Sequence, residues 1–149
     1  MQIKTILVAT DFSEDANFAL DYAVEFSKVF ESKLRLIHAY HVDTPAICGG
    51  FDGALMIPQD ILEPIRQGAE ASIEAQVKQL AATGVDVKGR AVKENAVSAI
   101  LEEAERLSAD LIVMGTRGLT GLKHVLVGST AERTVRLAQC PVVTVKAKS

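Results

Sequence analysis

Short apolar segments alternate along this chain with segments in which apolar residues recur at helical spacing. We predict five strands, over residues 5–10, 34–40, 85–92, 111–115 and 141–145. Four helices fit between them, with apolar stripes at Ala16, Ala19, Ala23, Phe26 and Phe30; at Ile61, Ile65, Ala69, Ile73, Val77 and Leu80; at Ala96, Ile100, Ala104 and Leu107; and at Ala131, Val135 and Ala138. Strict alternation with short links favours right-handed crossovers, so the predicted fold is α/β, an open parallel sheet with helices on both faces.

The strands differ in pattern, and the pattern predicts where each lies in the sheet. Residues 6–9 and 111–114 are apolar on both faces, which is typical of central strands. Residues 85–92 alternate with polar residues and contain Gly89, which suits an edge. If the first and fourth strands are neighbours, the strand order reverses between them, and the crevice beyond their carboxyl ends is the expected ligand site.

A glycine-rich segment follows the fourth strand. It reads Gly115-Thr116-Arg117-Gly118, then nine residues, then Gly128-Ser129-Thr130. Glycines let backbone N–H groups approach an anion, and a helix that starts near Gly128 would direct its unpaired N–H groups and positive dipole end to the same place. Arg117 and Lys123 could add positive charge. The segment therefore predicts a phosphate site, although it matches neither the P-loop nor the Gly-x-Gly-x-x-Gly dinucleotide pattern.

The same segment has a purely structural interpretation. Gly115, Gly118 and Gly121 could serve a turn that needs positive φ, and Ser129 could be the N-cap of the following helix, with Glu132 at capping-box spacing.

Asp11 also has two interpretations. It could be an N-cap, with Glu14 three residues later. Alternatively, it follows the first strand at the expected crevice and could hold a ribose hydroxyl or the base. A carboxylate beside phosphates is unfavourable without a metal or hydroxyl, so we place it at the sugar and base end.

The composition limits the remaining functions. A length of 149 residues fits one domain over 1–149. The net charge is −3 and Lys and Arg form no clusters, so the sequence predicts no basic patch that would bind nucleic acid. The N-terminal apolar run is too short for a signal peptide or membrane span, so we expect a cytoplasmic protein without membrane insertion. The spacings of the Cys and His residues predict no metal site, and the sequence has no motif typical of a catalytic nucleophile or base. The segment 41–57 could be a lid or a surface excursion.

The glycine segment, together with Val8-Ala-Thr-Asp-Phe-Ser13 near the start, resembles the universal stress protein family over the whole chain. The Gly-x2-Gly-x9-Gly-Ser pattern is similar to that of the ATP-binding branch. This resemblance implies a Rossmann-like sheet of strand order 3-2-1-4-5 that binds ATP. The chemistry of ATP in turn implies Mg²⁺ held through the phosphates.

By the same resemblance, one set of residues would form the nucleotide site. Ala9, Thr10 and Asp11 would line the base and ribose pocket, Ala39 would close against the base, and Met114 and Gly115 would flank the ribose. Gly118, Gly128, Ser129 and Thr130 would carry the phosphates, with Arg117 added on charge alone, and Thr116 is also counted as a nucleotide-binding residue.

The family's usual dimer forms through the last strand, and residues 141–145 (Pro141-Val-Val-Thr-Val145) give a physical reason, because they would be an apolar edge with open hydrogen bonds. We therefore expect a homodimer, and a larger assembly is open. The absence of a recognisable base favours a nucleotide-dependent regulator that acts on a partner protein. A slow ATPase or phosphotransferase using the same site is the alternative, and a module for another small molecule is the third possibility.

Overall fold

The computed structural model describes residues 2–41, 58–119 and 127–147, and these form nine elements of alternating type. In chain order they are β1 (Thr5–Ala9), α1 (Glu14–Phe30), β2 (Lys33–Tyr40), α2 (Gln59–Ala81), β3 (Val87–Lys93), α3 (Ala96–Leu107), β4 (Leu111–Gly115), α4 (Ser129–Leu137) and β5 (Val142–Val145).

The five strands form one parallel sheet of order β3-β2-β1-β4-β5. Strands β1 and β4 are therefore interior neighbours, with Val8 paired to Val113, and β3 lies at an edge. The predicted α/β fold, its strand order 3-2-1-4-5 and the central positions of the first and fourth strands are confirmed.

Strand ends differ from the prediction by one or two residues. Thr10 and Pro141 lie just outside β1 and β5, yet the Thr10 N–H donates to the Ile37 carbonyl at 3.0 Å and the Pro141 carbonyl accepts from the Ile112 N–H at 3.0 Å. Interstrand hydrogen bonding therefore continues one residue past the assigned strands, as is common at element ends. Strand β3 begins at Val87 rather than at residue 85.

Side chains on the two faces of the sheet enter separate apolar cores. One face carries Ile6, Val8 and Val113 and packs against α1 and α2. The other carries Leu7 and Ile112 and packs against α3 and α4. All five of these side chains are fully buried, and burial of each contributes about 1.5–3 kcal/mol of transfer free energy. This explains why the residues on both faces of β1 and β4 are apolar.

The predicted stripe of α1 is wrong at its last position. Ala16, Ala19 and Ala23 are buried, but Phe30 is 44% exposed. Phe30 is the last residue of α1, directly before the left-handed C-cap Glu31, where the chain turns away from the helix. Ser27 takes the buried position in the last turns.

The predicted stripes of α2 and α4 also fail in part. Ile61 and Ile65 are exposed because α2 has 23 residues, about 35 Å, and outreaches β3, which has 7 residues and spans about 23 Å. In α4 Val135 is exposed and Thr134 is buried instead. The Thr134 hydroxyl donates to the Thr130 carbonyl at 2.8 Å, which satisfies this polar group inside the core.

No helix in the described parts of the chain combines the length and apolar character that crossing a membrane requires.

Gly89 has no side chain, and this lets α2 pack closely against β3. A Cβ at this position would lie 2.8 Å from Val77 Cγ2 and 3.2 Å from Ile73 Cγ2. We expect Gly89→Ala to lower the free energy of unfolding by about 1–3 kcal/mol through overpacking, measured by urea denaturation. The matched control is Gly68→Ala in α2, where a Cβ meets nothing within 4 Å and helix propensity should add up to about 1 kcal/mol. Equal effects of the two exchanges would contradict this account.

Candidate functional site

A crevice of about 260 Å³ opens at the carboxyl ends of β1 and β4, where the strand order reverses. The loops that follow these two strands form its walls, as the sequence predicts. Its lining includes all twelve residues expected to bind nucleotide: Ala9, Thr10, Asp11, Ala39, Met114, Gly115, Thr116, Arg117, Gly118, Gly128, Ser129 and Thr130.

One end of the crevice is apolar. Ala9, Ile37 and Met114 come from three adjacent strands, and Ala96 and Ile100 come from the start of α3. Sequence reasoning missed the two α3 residues, which it had assigned only to a core stripe. These small and branched side chains can cover the face of a planar ring without competing for its polar edges.

The N-terminus of α4 forms another part of the lining. Its N-cap is Gly128, which has no side chain to accept a hydrogen bond, and the first intrahelical bond runs from the Glu132 N–H to the Gly128 carbonyl. Ser129, Thr130 and Ala131 precede that bond and line the crevice, and in the described ranges their N–H groups have no backbone acceptor. The N–H groups and positive dipole of such a helix end can bind an anion. The alternative in which Ser129 caps the helix is wrong, because Ser129 is already its first residue.

The glycines at 115 and 118 allow neighbouring chain segments to approach closely and are not needed for a positive φ. Of the glycines in the described ranges, Gly84 has a positive φ, whereas Gly115 and Gly118 do not, so the turn-based interpretation is wrong at these two positions. Gly121 lies outside the described residues. A Cβ on Gly115 would lie 2.8 Å from the backbone N of Ala16, so the end of β4 can touch the first turn of α1 only without a side chain.

Asp11 joins the two walls of the crevice. Its Oδ1 accepts from the Ser13 N–H and its Oδ2 accepts from the Leu119 N–H, both at 3.0 Å. The N-cap of α1 is Ser13, whose Oγ accepts from the Ala16 N–H at 3.3 Å, so the N-cap interpretation of Asp11 is wrong. A Cβ on Gly118 would lie 2.6 Å from Asp11 Oδ2, which shows how closely the glycine segment approaches this carboxylate.

The loop that carries Asp11 has an unusual backbone at its next residue. Phe12 has φ of 62°, a left-handed conformation that bulky residues rarely adopt. Its ring packs on the ring of His38 with centroids 4.6 Å apart, and His38 Nδ1 lies 2.9 Å from the Thr10 carbonyl oxygen. His38 therefore supports this loop from the side opposite the crevice.

Arg117 is paired internally. Its Nε lies 3.1 Å from Asp15 Oδ2 and its Nη2 lies 3.2 Å from Asp15 Oδ1, a two-point ion pair with a carboxylate that is only 4% exposed. The sequence placed Arg117 beside phosphate on charge alone, and the structure gives that charge a protein partner. Asp15 was not singled out, because an acidic residue in the first turn of a helix is common and gives no signal of its own.

Asp15 also binds neutral donors. It accepts from the Thr116 hydroxyl at 2.8 Å and from the backbone N–H groups of Arg117 and Ala147, both at 3.1 Å. Burial raises the pKa of this carboxyl, but the hydrogen bonds from Arg117, Thr116 and Ala147 and the charge of Arg117 outweigh burial and lower the pKa below its usual value.

Some residues discussed above lie outside the described ranges, and others lie away from the crevice lining. Lys123 and residues 42–57, which form most of the segment 41–57, lie outside the described residues. Cys140 is a half-buried free thiol whose pKa is raised by burial. Within the described ranges, no group of three or more His, Cys, Asp or Glu residues could hold a metal ion.

Comparison with known proteins places this geometry in a family. The model of the universal stress protein family matches residues 2–146. This chain belongs to the universal stress protein family. A curated relative, universal stress protein MJ0531 of Methanocaldococcus jannaschii, is 35% identical over 144 residues, which cover 96% of this chain and 82% of the relative.

Solved structures of universal stress proteins share the fold. The structure of MJ0577 from the same organism superposes with a TM-score of 0.82 at 26% identity, and covers 100% of this chain and 99% of that one. A universal stress protein crystallised in complex with cAMP has a TM-score of 0.69 at 25% identity, and covers 98% of both chains. The present chain carries the Gly-x2-Gly-x9-Gly-Ser pattern of the family's ATP-binding branch at Gly115, Gly118, Gly128 and Ser129.

The environment of Asp15 predicts a pH dependence of stability. Because the folded-state pKa is lowered, ionised Asp15 stabilises the fold above its unfolded pKa of about 3.9, and this contribution is lost as pH falls through the folded-state value. We expect Asp15→Asn to be less stable than the natural protein at pH 7, and the difference to shrink as the pH falls below about 4. Urea denaturation across this range measures it.

The control is Asp21→Asn, the same exchange at an exposed position of α1. A difference between the natural protein and Asp15→Asn that stays constant between pH 7 and pH 3 would contradict the assignment of Asp15 as a stabilising carboxylate.

Proposed function

We propose that this universal stress protein binds ATP in the crevice between β1 and β4 and acts as a nucleotide-dependent regulator of another protein. The observation that carries the proposal is the N-terminus of α4 at the crevice, where the N-cap is a glycine and Ser129, Thr130 and Ala131, which precede the first intrahelical bond, line the cavity. An anion of the size of a phosphate chain suits such a helix end.

The two ends of the crevice suit the two ends of the nucleotide. The apolar end between Ala39 and Ile100 would take the adenine ring, Asp11 and Met114 would flank the ribose, and the phosphates would lie along Gly118 and the start of α4. That a relative was crystallised with cAMP supports an adenine nucleotide as the ligand class.

Magnesium would enter with the phosphates rather than through a protein cage. Asp11 is the carboxylate in the described lining, and both its oxygens already accept backbone N–H groups. Mg²⁺ commonly keeps several waters and binds through substrate phosphates, so the crevice fits a bound Mg²⁺–ATP complex without further protein ligands.

The lining favours a regulator over a hydrolase. Its described residues include no histidine, and Asp11 is held by two backbone donors rather than directed at a water. ATP could then act by joining Gly118 and the start of α4 through its phosphates, which changes the surface that a partner protein would contact.

We further propose that two copies pair through β5. The Thr116 N–H donates to the Val145 carbonyl, and the Ile112 N–H donates to the Pro141 carbonyl, so odd-numbered residues of this strand bond to β4. In a parallel ladder the backbone groups of the intervening residues, Val142 and Thr144, then point to the open edge. The other edge strand, β3, carries the exposed charges of Lys88 and Arg90, a pattern that protects edges from pairing, whereas β5 has none.

An aromatic stripe on α1 extends the apolar surface beside this edge. Tyr22, Phe26 and Phe30 are spaced four apart and contact one another with ring centroids 6.3 and 6.4 Å apart. Asp15 lies seven residues before Tyr22, about two helical turns, and so is on the same side of α1. Asp15 accepts a hydrogen bond from the Ala147 N–H, just beyond β5, so this side of the helix faces β5. Burial of the partly exposed rings would favour association of two copies at β5.

Loss of ATP binding in a glycine variant tests the site. We expect Gly128→Val to weaken ATP binding at least ten-fold, because its side chain would shield the start of α4. The φ of −70° is accessible to valine, but the Cβ would lie 3.2 Å from the Thr116 carbonyl oxygen, so urea denaturation of the variant is measured beside its binding. Isothermal titration with Mg²⁺–ATP measures the change, after denaturation of the freshly purified protein and chromatography of any released nucleotide. Gly68→Val, at an open position of α2, is the matched control.

The same experiment separates regulator from enzyme. Bound ATP recovered intact after long incubation supports the regulator, whereas ADP formed from added ATP, and lost in Gly128→Val, would identify a slow ATPase. A natural protein that binds no ATP would contradict the proposal altogether.

Disruption of the open edge tests the dimer. Thr144→Pro removes an outward N–H without removing a bond to β4, so the monomer should fold while association falls. Light scattering coupled to gel filtration should show a dimer for the natural protein and a monomer for the variant. Ala91→Pro at the β3 edge is the control, since Asp86 accepts from the Leu34 N–H and odd-numbered residues there point outward. An unchanged dimer in Thr144→Pro would exclude pairing through β5.

A further inference from the structure

A buried carboxylate lies directly behind the glycine segment and outside the set of residues expected to touch nucleotide. Asp15 is in the first turn of α1, is 4% exposed, and is followed by Ala16, whose backbone N lies 2.8 Å from where a Cβ of Gly115 would stand. The end of β4 and the first turn of α1 are therefore in direct contact at this carboxylate.

Both residues that follow Gly115 are bound by Asp15. Thr116 gives its hydroxyl and Arg117 gives its backbone N–H and its guanidinium. Arg117 is the residue before Gly118, so fixing its backbone N–H fixes the direction in which the chain enters the phosphate end of the crevice. Hydrogen bonds to an ionised acceptor are roughly twice as strong as neutral ones, which makes this a stiff constraint.

The second phosphate-binding segment is attached to the same point. The Gly128 N–H donates to the Thr116 carbonyl at 2.6 Å, and the Thr116 N–H donates to the Val145 carbonyl at 2.8 Å. Thr116 is thus held by its hydroxyl, its N–H and its carbonyl, and the start of α4 is held through it. Displacement of Thr116 would move Gly118 and Gly128 relative to each other.

We propose that Asp15 is a positioning residue for phosphate binding, which sets the spacing between Gly118 and the N-terminus of α4 by holding Thr116 and Arg117 from behind. This inference rests on the proposed function, because it concerns how the same crevice holds the phosphate chain. It assigns the guanidinium of Arg117 to the support of the loop rather than to the phosphates.

The direction in which Asp15→Asn changes the ATP affinity distinguishes a positioning role of Asp15 from a simple effect of its charge. Removal of a negative charge near phosphates would by itself strengthen their binding. Removal of a support would weaken it, because the amide introduced by Asp15→Asn offers one acceptor oxygen and sets an NH₂ group against the donors of Arg117. The two effects therefore have opposite directions in Asp15→Asn.

The experiment is a series of dissociation constants for adenosine, AMP, ADP and Mg²⁺–ATP at pH 7, measured on the natural protein and on Asp15→Asn. We expect the variant to bind ATP about ten-fold more weakly and adenosine within about two-fold of the natural protein, because the apolar end of the crevice does not involve Asp15. Asp21→Asn is the control and should leave the whole series unchanged.

Two further variants keep the test decisive. Thr116→Val removes only the hydroxyl that donates to Asp15, and should show a smaller loss with the same preference for ATP over adenosine, even if Asp15→Asn fails to fold. Arg117→Gln keeps the backbone N–H on Asp15 and should lose less ATP affinity than Asp15→Asn.

Other results overturn the inference. ATP binding that is equal or tighter in Asp15→Asn, an equal loss for adenosine and ATP, or a larger loss in Arg117→Gln than in Asp15→Asn would each exclude a positioning role. A natural protein whose affinity does not rise from adenosine to ATP would instead remove the proposed function, and the inference with it.

Discussion

The parallel pairing of β1 with β4 is the constraint on which the rest of this structure depends. The chain leaves β1 towards α1 on one face of the sheet and leaves β4 towards α4 on the other, so the two loops diverge and a crevice opens between them. The same pairing brings the first turn of α1 against the end of β4, where only a glycine fits. The cavity, its glycine wall and the buried Asp15 are consequences of this one adjacency.

Much of the fold could be predicted because burial on two faces leaves a strong mark on a sequence. Continuous apolar runs at 6–9 and 111–114 indicated interior strands, and the structure places both there. The helix stripes were less accurate at Phe30, Ile61 and Val135, since periodicity reports which residues share a helix face but not how far the sheet extends beneath it.

The location of the candidate site could be predicted better than its internal bonding. The glycine spacing and the strand reversal identified the crevice, and all the expected residues line it. The internal pairing of Arg117 with Asp15 could not be predicted, because the two residues are 102 positions apart and meet only when β4 is beside α1. The N-cap alternatives for Asp11 and Ser129 lie two residues and one residue from the observed caps of α1 and α4, since Gly, Ser and Asp are all acceptable caps and local sequence does not choose among them.

The contact between Phe12 and His38 has a consequence for how such a sequence can diverge. A left-handed backbone at a bulky residue costs about 1–2 kcal/mol, and a favourable aromatic pair returns about 0.5–1.5 kcal/mol, so neither residue is independent of the other. We expect the two positions to covary among homologues: where the ring at position 38 is absent, position 12 should be glycine, asparagine or aspartate. An alignment in which bulky residues persist at position 12 without a ring at 38 would show that the rest of the loop alone maintains this backbone.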